Sequence, residues 1–317
     1  MSFFFYNIMR IFFIVLRILL GSVFVLSAIT KLFPIESFEL SIVESGLISW
    51  SLAPYLARLF IGFECVLGIF IIFNFKIRVI LKIATGLLIF FSIYLLYIWI
   101  KNGDNADCGC FGEFIKLNLK ESILKNLILF GLSFYLLFKA KNFNWRFQKI
   151  IIPLLILIIM VLPFILNVIN LNKYSTIYTK NINYTLDFKT LGDFNYNNIN
   201  YKLDEGKKIV CFFSLSCKFC KLAAKKITII NNKLNEKLPI YYIFGGSKKY
   251  LEEFWQESNS KKFPYLLLEP SAENNKIFFD LSGPILPSIY YVDNGIVKRK
   301  VHFDDLEQSD IENFLNK

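Results

Sequence analysis

Two pairs of cysteines hold the chemistry available to this chain. Cys217 and Cys220 lie in the run Ser214-Leu215-Ser216-Cys217-Lys218-Phe219-Cys220. The residues before it, Ile209-Val210-Cys211-Phe212-Phe213, read as a buried strand, and apolar residues at Phe219, Ala223, Ile227 and Ile230 read as one face of a following helix. Two thiols spaced this way at a strand-to-helix junction form a redox pair. Cys217 falls at the helix N-terminus, where free backbone N–H groups and the macrodipole favour a thiolate. Lys218 adds a neighbouring positive charge, and Cys220, one turn on, is placed to resolve a mixed disulfide. Half of a metal site and a pair of inert core thiols are the competing readings.

The second pair is in Asp107-Cys108-Gly109-Cys110-Phe111-Gly112. Its glycines make a tight turn with closely approaching backbone. A disulfide across Cys-x-Cys closes a very small ring, and departure from preferred geometry makes such a bond more reducible. Strained, exposed disulfides are the labile and catalytic ones. Zinc needs about four ligands, and no second cluster stands near, so a metal site is not expected. Of the six cysteines, the other two are Cys65 and Cys211. Cys211 lies in the core strand and reads as packing. Cys65 sits beside Glu64 in an apolar segment and reads first as a small packing residue. Glu64 itself is ionisable at membrane depth, a functional signal by default; a helix-packing pair with Arg17 or Arg58 is the plainer reading. It is the weak candidate for a cofactor-binding residue. The single histidine, His302, argues against a His-rich metal site or a Ser-His-Asp hydrolase.

Membrane helices and an outer globule must position these pairs. The chain has 317 residues, 55% of them hydrophobic, with mean hydropathy +0.48. Apolar segments run from Ile11 to Phe33, Leu52 to Phe75, Val79 to Ile100, Ile123 to Phe138 and Ile150 to Ile169, each a candidate transmembrane helix. The fourth is short, with Lys125 and Asn126 near its start. The fifth carries Pro153 and Pro163, tolerated near its ends or as kinks. The first segment is read as a retained helix, since no convincing cleavage site follows it. Arg10, Arg17, Lys76, Arg78, Lys82, Lys139, Lys141, Arg146 and Lys149 flank one side, whereas the opposite connections carry Glu36, Glu39, Glu44, Asp104, Asp107 and Glu113. The positive-inside rule then puts the N-terminus in the cytoplasm. Both cysteine pairs fall outside, in a compartment that permits disulfides. The formal charge of +11 is spread over flanks and surface, with no compact basic stripe of the kind nucleic acid requires.

Segments one to four resemble the MauE/DoxX-like membrane proteins over roughly the first 140 residues. Arg17, Gly21, Phe24, Ser27 and Lys31 match in the first helix, Glu64 and Gly68 in the second, then the Cys108-Gly109-Cys110-Phe111-Gly112 loop and Lys125-Asn126. The resemblance implies a redox-associated membrane module that works beside a thioredoxin-like partner, here fused to it. After a polar stretch from Asn170 to about Tyr201, read as a tether and the opening of the outer domain, the chain resembles a thioredoxin-like domain of the membrane-anchored, TlpA/DsbA type. A strand over Leu238 to Phe244 and a helix over Lys248 to Glu257 precede Leu286-Pro287-Ser288-Ile289-Tyr290-Tyr291-Val292, a proline followed by a strand. Asp293-Asn294-Gly295 is a hairpin turn, Ile296 to Phe303 the return strand, and Ser309-x-x-Glu312 the cap of a C-terminal helix. The resemblance implies that Pro287 is a cis-proline facing the dithiol; an edge-strand proline is the alternative. Ser216, and Lys218-Phe219 between the thiols, depart from the common family motif.

The expected architecture is an α-helical membrane bundle of four to five transmembrane helices followed by an α/β thioredoxin-like domain. Residues 1–147 form the MauE/DoxX-like part, 148–172 a fifth helix and tether, and 173–317 the extracytoplasmic domain. The expected function is a thiol–disulfide oxidoreductase of the bacterial inner membrane, acting on extracytoplasmic protein thiols or disulfides. Its catalytic residues would be Cys217, Cys220, Cys108, Cys110 and Pro287. A thiol relay through the bilayer needs a second intramembrane thiol beside Cys65, so a quinone acceptor or a second protein is favoured over a cytosolic thioredoxin. A non-enzymatic reading is a membrane anchor or small-solute carrier with an outer assembly-factor domain.

Overall fold

In a membrane, an apolar run must satisfy its own backbone N–H and C=O groups, and a helix does so within the segment. The computed structural model describes residues 2–102, 118–140, 148–169, 184–234, 238–303 and 305–316. Its two compact units divide between Ile169 and Asn170. The first holds α1 (Ser2–Leu32), α2 (Ile35–Glu44), α3 (Ala53–Phe73), α4 (Ile77–Asn102), α5 (Leu119–Lys139) and α6 (Gln148–Leu166). All but α2 contain a span long and apolar enough to cross a membrane. Phe73, Phe138, Ile150 and Ile165 are exposed on the bundle, as a lipid-facing surface requires. α5 starts four residues earlier than its apolar run suggests. Asn118 and Glu121 cap it reciprocally, Asn118 Oδ1 accepting from Glu121 N at 2.9 Å and Glu121 Oε2 from Asn118 N at 3.0 Å.

Helices in lipid associate through close packing of small residues, and α1 crosses α3 at a pair of glycines. A Cβ on Gly21 would lie 2.7 Å from the Gly68 carbonyl oxygen, and a Cβ on Gly68 2.7 Å from that of Gly21. Gly86 and Gly131, by contrast, face open space. Gly21→Ala or Gly68→Ala must therefore push two backbones apart, at a cost of about 1–3 kcal/mol, read as a lower thermal midpoint of the detergent-solubilised protein. Gly86→Ala and Gly131→Ala should hold or raise that midpoint, because alanine is the better helix former by about 1 kcal/mol. α6 joins the same bundle. A Cβ on Gly62 would lie 3.1 Å from Met160 Cα, and beyond the helix Asn167 accepts from Arg58 Nε at 2.7 Å and donates to Leu32 O at 3.2 Å.

The connection after α1 differs from expectation. Glu36, Glu39 and Glu44 are on α2, whose Ile35, Phe38, Leu40 and Val43 are buried. Ile35, Phe38 and the half-buried Ile42 sit three and then four apart, a helical period that the acidic residues between them obscured. Glu39 pairs with Arg58 at 2.6 Å.

The second unit is built on β4 (Lys207–Ser214), whose Ile209 to Phe213 are all fully buried. A strand covered on both faces reads as a continuous apolar run rather than an alternation. Around it lie β1 (Tyr184–Thr185), a β2–β3 hairpin (Asn195–Tyr196, Ile199–Asn200), α7 (Lys218–Leu234), β5 (Ile240–Gly245), α8 (Leu251–Ser258), β6 (Tyr265–Leu268), α9 (Ala272–Ser282), β7 (Ser288–Asp293), β8 (Ile296–Val301) and α10 (Gln308–Asn316). The main sheet has the order β1-β8-β7-β4-β5-β6. β4, β5 and β6 are parallel, β7 runs antiparallel to β4, and β8 runs antiparallel to β7. Parallel crossovers through α7 and α8, then a β7–β8 hairpin and a closing helix, with the Cys-x-x-Cys at the first strand-to-helix turn, make a thioredoxin-like α/β domain. Asn294 and Gly295 turn the hairpin with φ of 48° and 77°, the left-handed pair that a tight β-turn needs.

Three local readings change. β6 and α9 fill a stretch for which the sequence suggested no element; Ser271 caps α9 by accepting from Asn274 N at 3.0 Å. Phe219 is not on the buried face of α7: it is 46% exposed, while Cys220, Ala223, Ile227 and Ile230 face the core. Ser309 lies inside α10 rather than capping it, and bonds Glu307 Oε2 at 3.3 Å.

Candidate active site

β4 ends at Ser214, and the chain makes one turn before α7 begins at Lys218. Cys217 N donates to Ser214 O at 3.1 Å and Lys221 N to Cys217 O at 3.2 Å, so Cys217 sits at the mouth of the helix. The Cys220 backbone N–H points at Cys217 Sγ, 3.3 Å away. Cys217 is partly exposed and Cys220 fully buried, and both are free thiols.

The two sulfurs therefore differ in how readily they ionise. The Cys220 thiol hydrogen-bonds to the Cys217 sulfur and favours its thiolate. Partial burial opposes ionisation, while the N–H groups of Cys220 and Phe219 and the charge of Lys221 assist it. The balance lowers Cys217 from 9.0 to about 7. Cys220 is pushed up by its burial and by the neighbouring Cys217. The assisting cation is Lys221 rather than Lys218, and it is itself ion-paired to Glu257. A thiolate stabilised in the dithiol form favours the reduced state of the couple, which makes it the more oxidising.

Two tests follow from this geometry. Cys217 should alkylate with half-maximal rate at pH about 7, losing tenfold per unit below that as the thiolate is protonated. Cys220 and Cys211, both buried, should stay unmodified in the folded protein. Lys221→Gln should move the Cys217 midpoint upward, because the thiolate loses a favourable charge.

Pro287 is buried, and the Leu286–Pro287 peptide is cis. Ser288 pairs with Phe212 in the antiparallel register of β7 on β4. Pro287 therefore stands level with Phe213, beside the end of the sheet where β4 delivers the dithiol. Phe219 and Ile285, 46% and 53% exposed, lie one on each of the two segments that frame this end. Cys211 is in the middle of β4, opposite Ile289 and Tyr242. His302 is buried just beyond β8.

Cys108 and Cys110 lie outside the described residues. Glu64 does not pair with Arg17 or Arg58. Arg58 is taken by Glu39, and Arg17 donates to Ile72 O at 3.3 Å. The partner of Glu64 is Lys31, whose Nζ is 2.6 and 2.7 Å from the two carboxylate oxygens and 3.1 Å from Ser27 Oγ. Ser27 in turn donates to Glu64 Oε2 at 3.3 Å. All three residues are buried. The spacing Ser27-x-x-x-Lys31 puts both on one face of α1, a signal already present in the sequence. Cys65 faces away into the packing around α3.

Residues 9–139 match the family model of methylamine utilisation protein MauE. The chain is 27% identical to protein TlpB of Flavobacterium psychrophilum, across 88% of each protein. It is similar to the solution structure of a thiol:disulfide interchange protein from Bacteroides sp., at 18% identity and TM-score 0.32, over 39% of this chain and 85% of that one. The crystal structure of the thioredoxin domain of a thiol-disulfide oxidoreductase from Bacteroides vulgatus is similar at 18% identity and TM-score 0.32, over 43% and 95%.

Proposed function

We propose that this chain, a MauE-like membrane part joined to a thioredoxin-like domain, is a membrane thiol–disulfide oxidoreductase whose two dithiols exchange electrons. The observation that carries this reading is the pairing of a partly exposed Cys217, lowered to about 7, with a buried, protonated Cys220 one turn away. The Cys217 thiolate attacks one sulfur of a disulfide, forming a mixed disulfide and releasing the other sulfur as a thiolate. Cys220 then gives up its proton and attacks Cys217 Sγ, which expels the second sulfur. Two electrons have moved to the client sulfurs, the Cys220 proton is available to one of the two thiolates released, and the domain holds a Cys217–Cys220 disulfide. Run in reverse, the same steps oxidise a client dithiol. Pro287 lines the approach to Cys217. Cys108 and Cys110 form the second dithiol, and extracytoplasmic protein thiols or disulfides are the clients. The charge pattern of the flanks supports a cytoplasmic N-terminus with both dithiols on the far side.

Cys220→Ser leaves the mixed disulfide with no resolving thiol, so Cys217 should accumulate bound to its partner. Peptide mass mapping of that variant in membranes is expected to find Cys217 joined to Cys108, Cys110 or a client cysteine. Finding Cys217 only as a free thiol would overturn the reading.

A further inference from the structure

The Lys31–Glu64 pair is not sealed by packing. It lines a cavity of about 270 Å³ inside the first unit, walled by α1 to α5 and the turn after α2. Liquid water takes about 30 Å³ per molecule, so the space suits a ring system. The walls are mostly apolar and include the rings of Phe24, Phe38, Phe60, Phe90, Phe91 and Tyr94. Lys31 Nζ stands 5.3 and 5.7 Å from the ring centres of Phe38 and Phe91. The polar groups are Ser27, Lys31 and Glu64 on α1 and α3, Ser41 and Ser45 on and just after α2, and Lys125 and Asn126 from α5. Asn126 is only 3% exposed and lines the cavity, where its amide can both donate to and accept from an occupant. An apolar, largely pre-formed pocket with a few convergent polar groups is the usual form of a small-molecule site.

Position and access narrow the class of occupant. Phe90 and Leu47 line the cavity and are also 55% and 67% exposed, so it opens toward the apolar outside of the bundle, the route for a molecule dissolved in lipid. Asn126 is seven residues into α5 and Tyr94 eight residues from the end of α4, about 10–12 Å along the helix axes. The cavity therefore lies at the end of the bundle where the chain passes from α4 to α5, and that connection carries Cys108 and Cys110. Thiol exchange only moves electrons among sulfurs, so turnover that oxidises clients needs an acceptor outside them. A lipid-dissolved ring that takes two electrons and two protons is a quinone.

We propose that this cavity binds a membrane quinone, which oxidises the Cys108–Cys110 dithiol. The proposal rests on the two-dithiol reading above. The dithiol gives up two electrons and two protons and becomes a disulfide; the quinone takes both pairs and leaves as quinol. The new disulfide then oxidises Cys217 and Cys220, which oxidise a client. Asn126 donates to one quinone carbonyl, Ser27 and the Lys31–Glu64 pair hold the polar end, and the phenylalanines enclose the ring. The net direction is oxidation of client thiols.

The test uses the full chain in lipid nanodiscs, with a naphthoquinone bearing one isoprene unit as the probe and a reduced client protein as the electron source. Saturable binding by calorimetry and quinol formation by absorbance are expected. Asn126→Leu, and Ser41→Phe, which fills the cavity from α2, should each raise the half-saturating quinone concentration at least tenfold. Gly131→Ala, facing open space, should bind as the unaltered protein does. Photolabelling of the unaltered protein with an azidoquinone gives a readout that does not depend on either variant folding, and label is expected on the residues around Leu88–Tyr94 and Asn126. Absence of saturable binding, label elsewhere, or a phospholipid that the quinone cannot displace would overturn the inference. The two claims fail separately. Dithiol–disulfide exchange without quinone binding sinks the cavity's role alone, whereas quinone binding without any exchange at Cys217 sinks the oxidoreductase reading.

Discussion

Cys217→Ser is expected to remove disulfide exchange by the full-length protein, a loss on the order of 10³ or more in the rate of oxidising or reducing a test protein's cysteines. A serine hydroxyl is not ionised near neutral pH and cannot form the mixed disulfide, so both steps of the exchange are lost together. The fold should survive, because Cys217 is at the surface end of α7 and contributes little to the core. Circular dichroism and an unchanged thermal midpoint check that. Cys211→Ala makes the contrast. It deletes a sulfur from the centre of β4, fully buried beside Tyr242, and should cost stability while leaving the exchange rate near that of the unaltered protein. If Cys217→Ser retained exchange activity, the chemistry would lie elsewhere, and an anchor or carrier role for the chain would become the better account.

The second large effect is on the membrane unit. Lys31→Ala or Glu64→Ala should destabilise the bundle by about 3–5 kcal/mol, because each leaves an uncompensated charge in a buried site. The partner's hydrogen bonds go with it: Lys31 loses both carboxylate contacts, or Glu64 loses the ammonium and, among the described residues, keeps the 3.3 Å bond from Ser27. The double variant Lys31→Met/Glu64→Leu removes both charges at similar volume and should recover most of the loss, since a buried pair replaced by packed apolar groups is often neutral or better. Chemical unfolding of the three variants in detergent measures this. Function should part from stability in the double variant: the bundle stands, yet the cavity has lost its polar end. Single variants as stable as the unaltered protein would mean that the pair is reached by water and is not the buried contact described above.

Much of this was legible in the residue order. The apolar run of β4 and the Cys-x-x-Cys after it gave the strand, the junction and the helix, because a strand buried on both faces has a signature that competing elements lack. Asn294-Gly295 announced its hairpin for a similar reason: few other residues accept φ values of 48° and 77°. The helices over the five apolar runs were readable from length alone. What was not legible depended on partners far apart in sequence. Glu64 stood out as ionisable in an apolar helix, but the sequence offered Arg17 or Arg58 as its partner, and the crossing of α1 on α3 at Gly21 and Gly68 brings Lys31 to it instead. Lys125 and Asn126 weakened the case for α5 as a sequence feature, yet they line the cavity. Phe219 fitted the helical period and still points outward, because a periodicity fixes a face only to within a residue or so at a helix end. The assignment of Cys108 and Cys110 rests on their sequence.

The Lys31–Glu64 contact also bears on how the polypeptide is laid into the bilayer. Glu64 is midway along α3, and an ionised side chain at the centre of a lone helix costs about 2.5–3.5 kcal/mol on insertion scales. Lys31 is one residue from the end of α1, where a long side chain can reach back to the headgroups. α1 can thus wait in lipid alone, holding its ammonium at the interface, while α3 is better released from the translocon against it. The first two spans are then expected to enter the bilayer as a helical hairpin, with Gly21 and Gly68 letting them close before the charge is stranded in hydrocarbon.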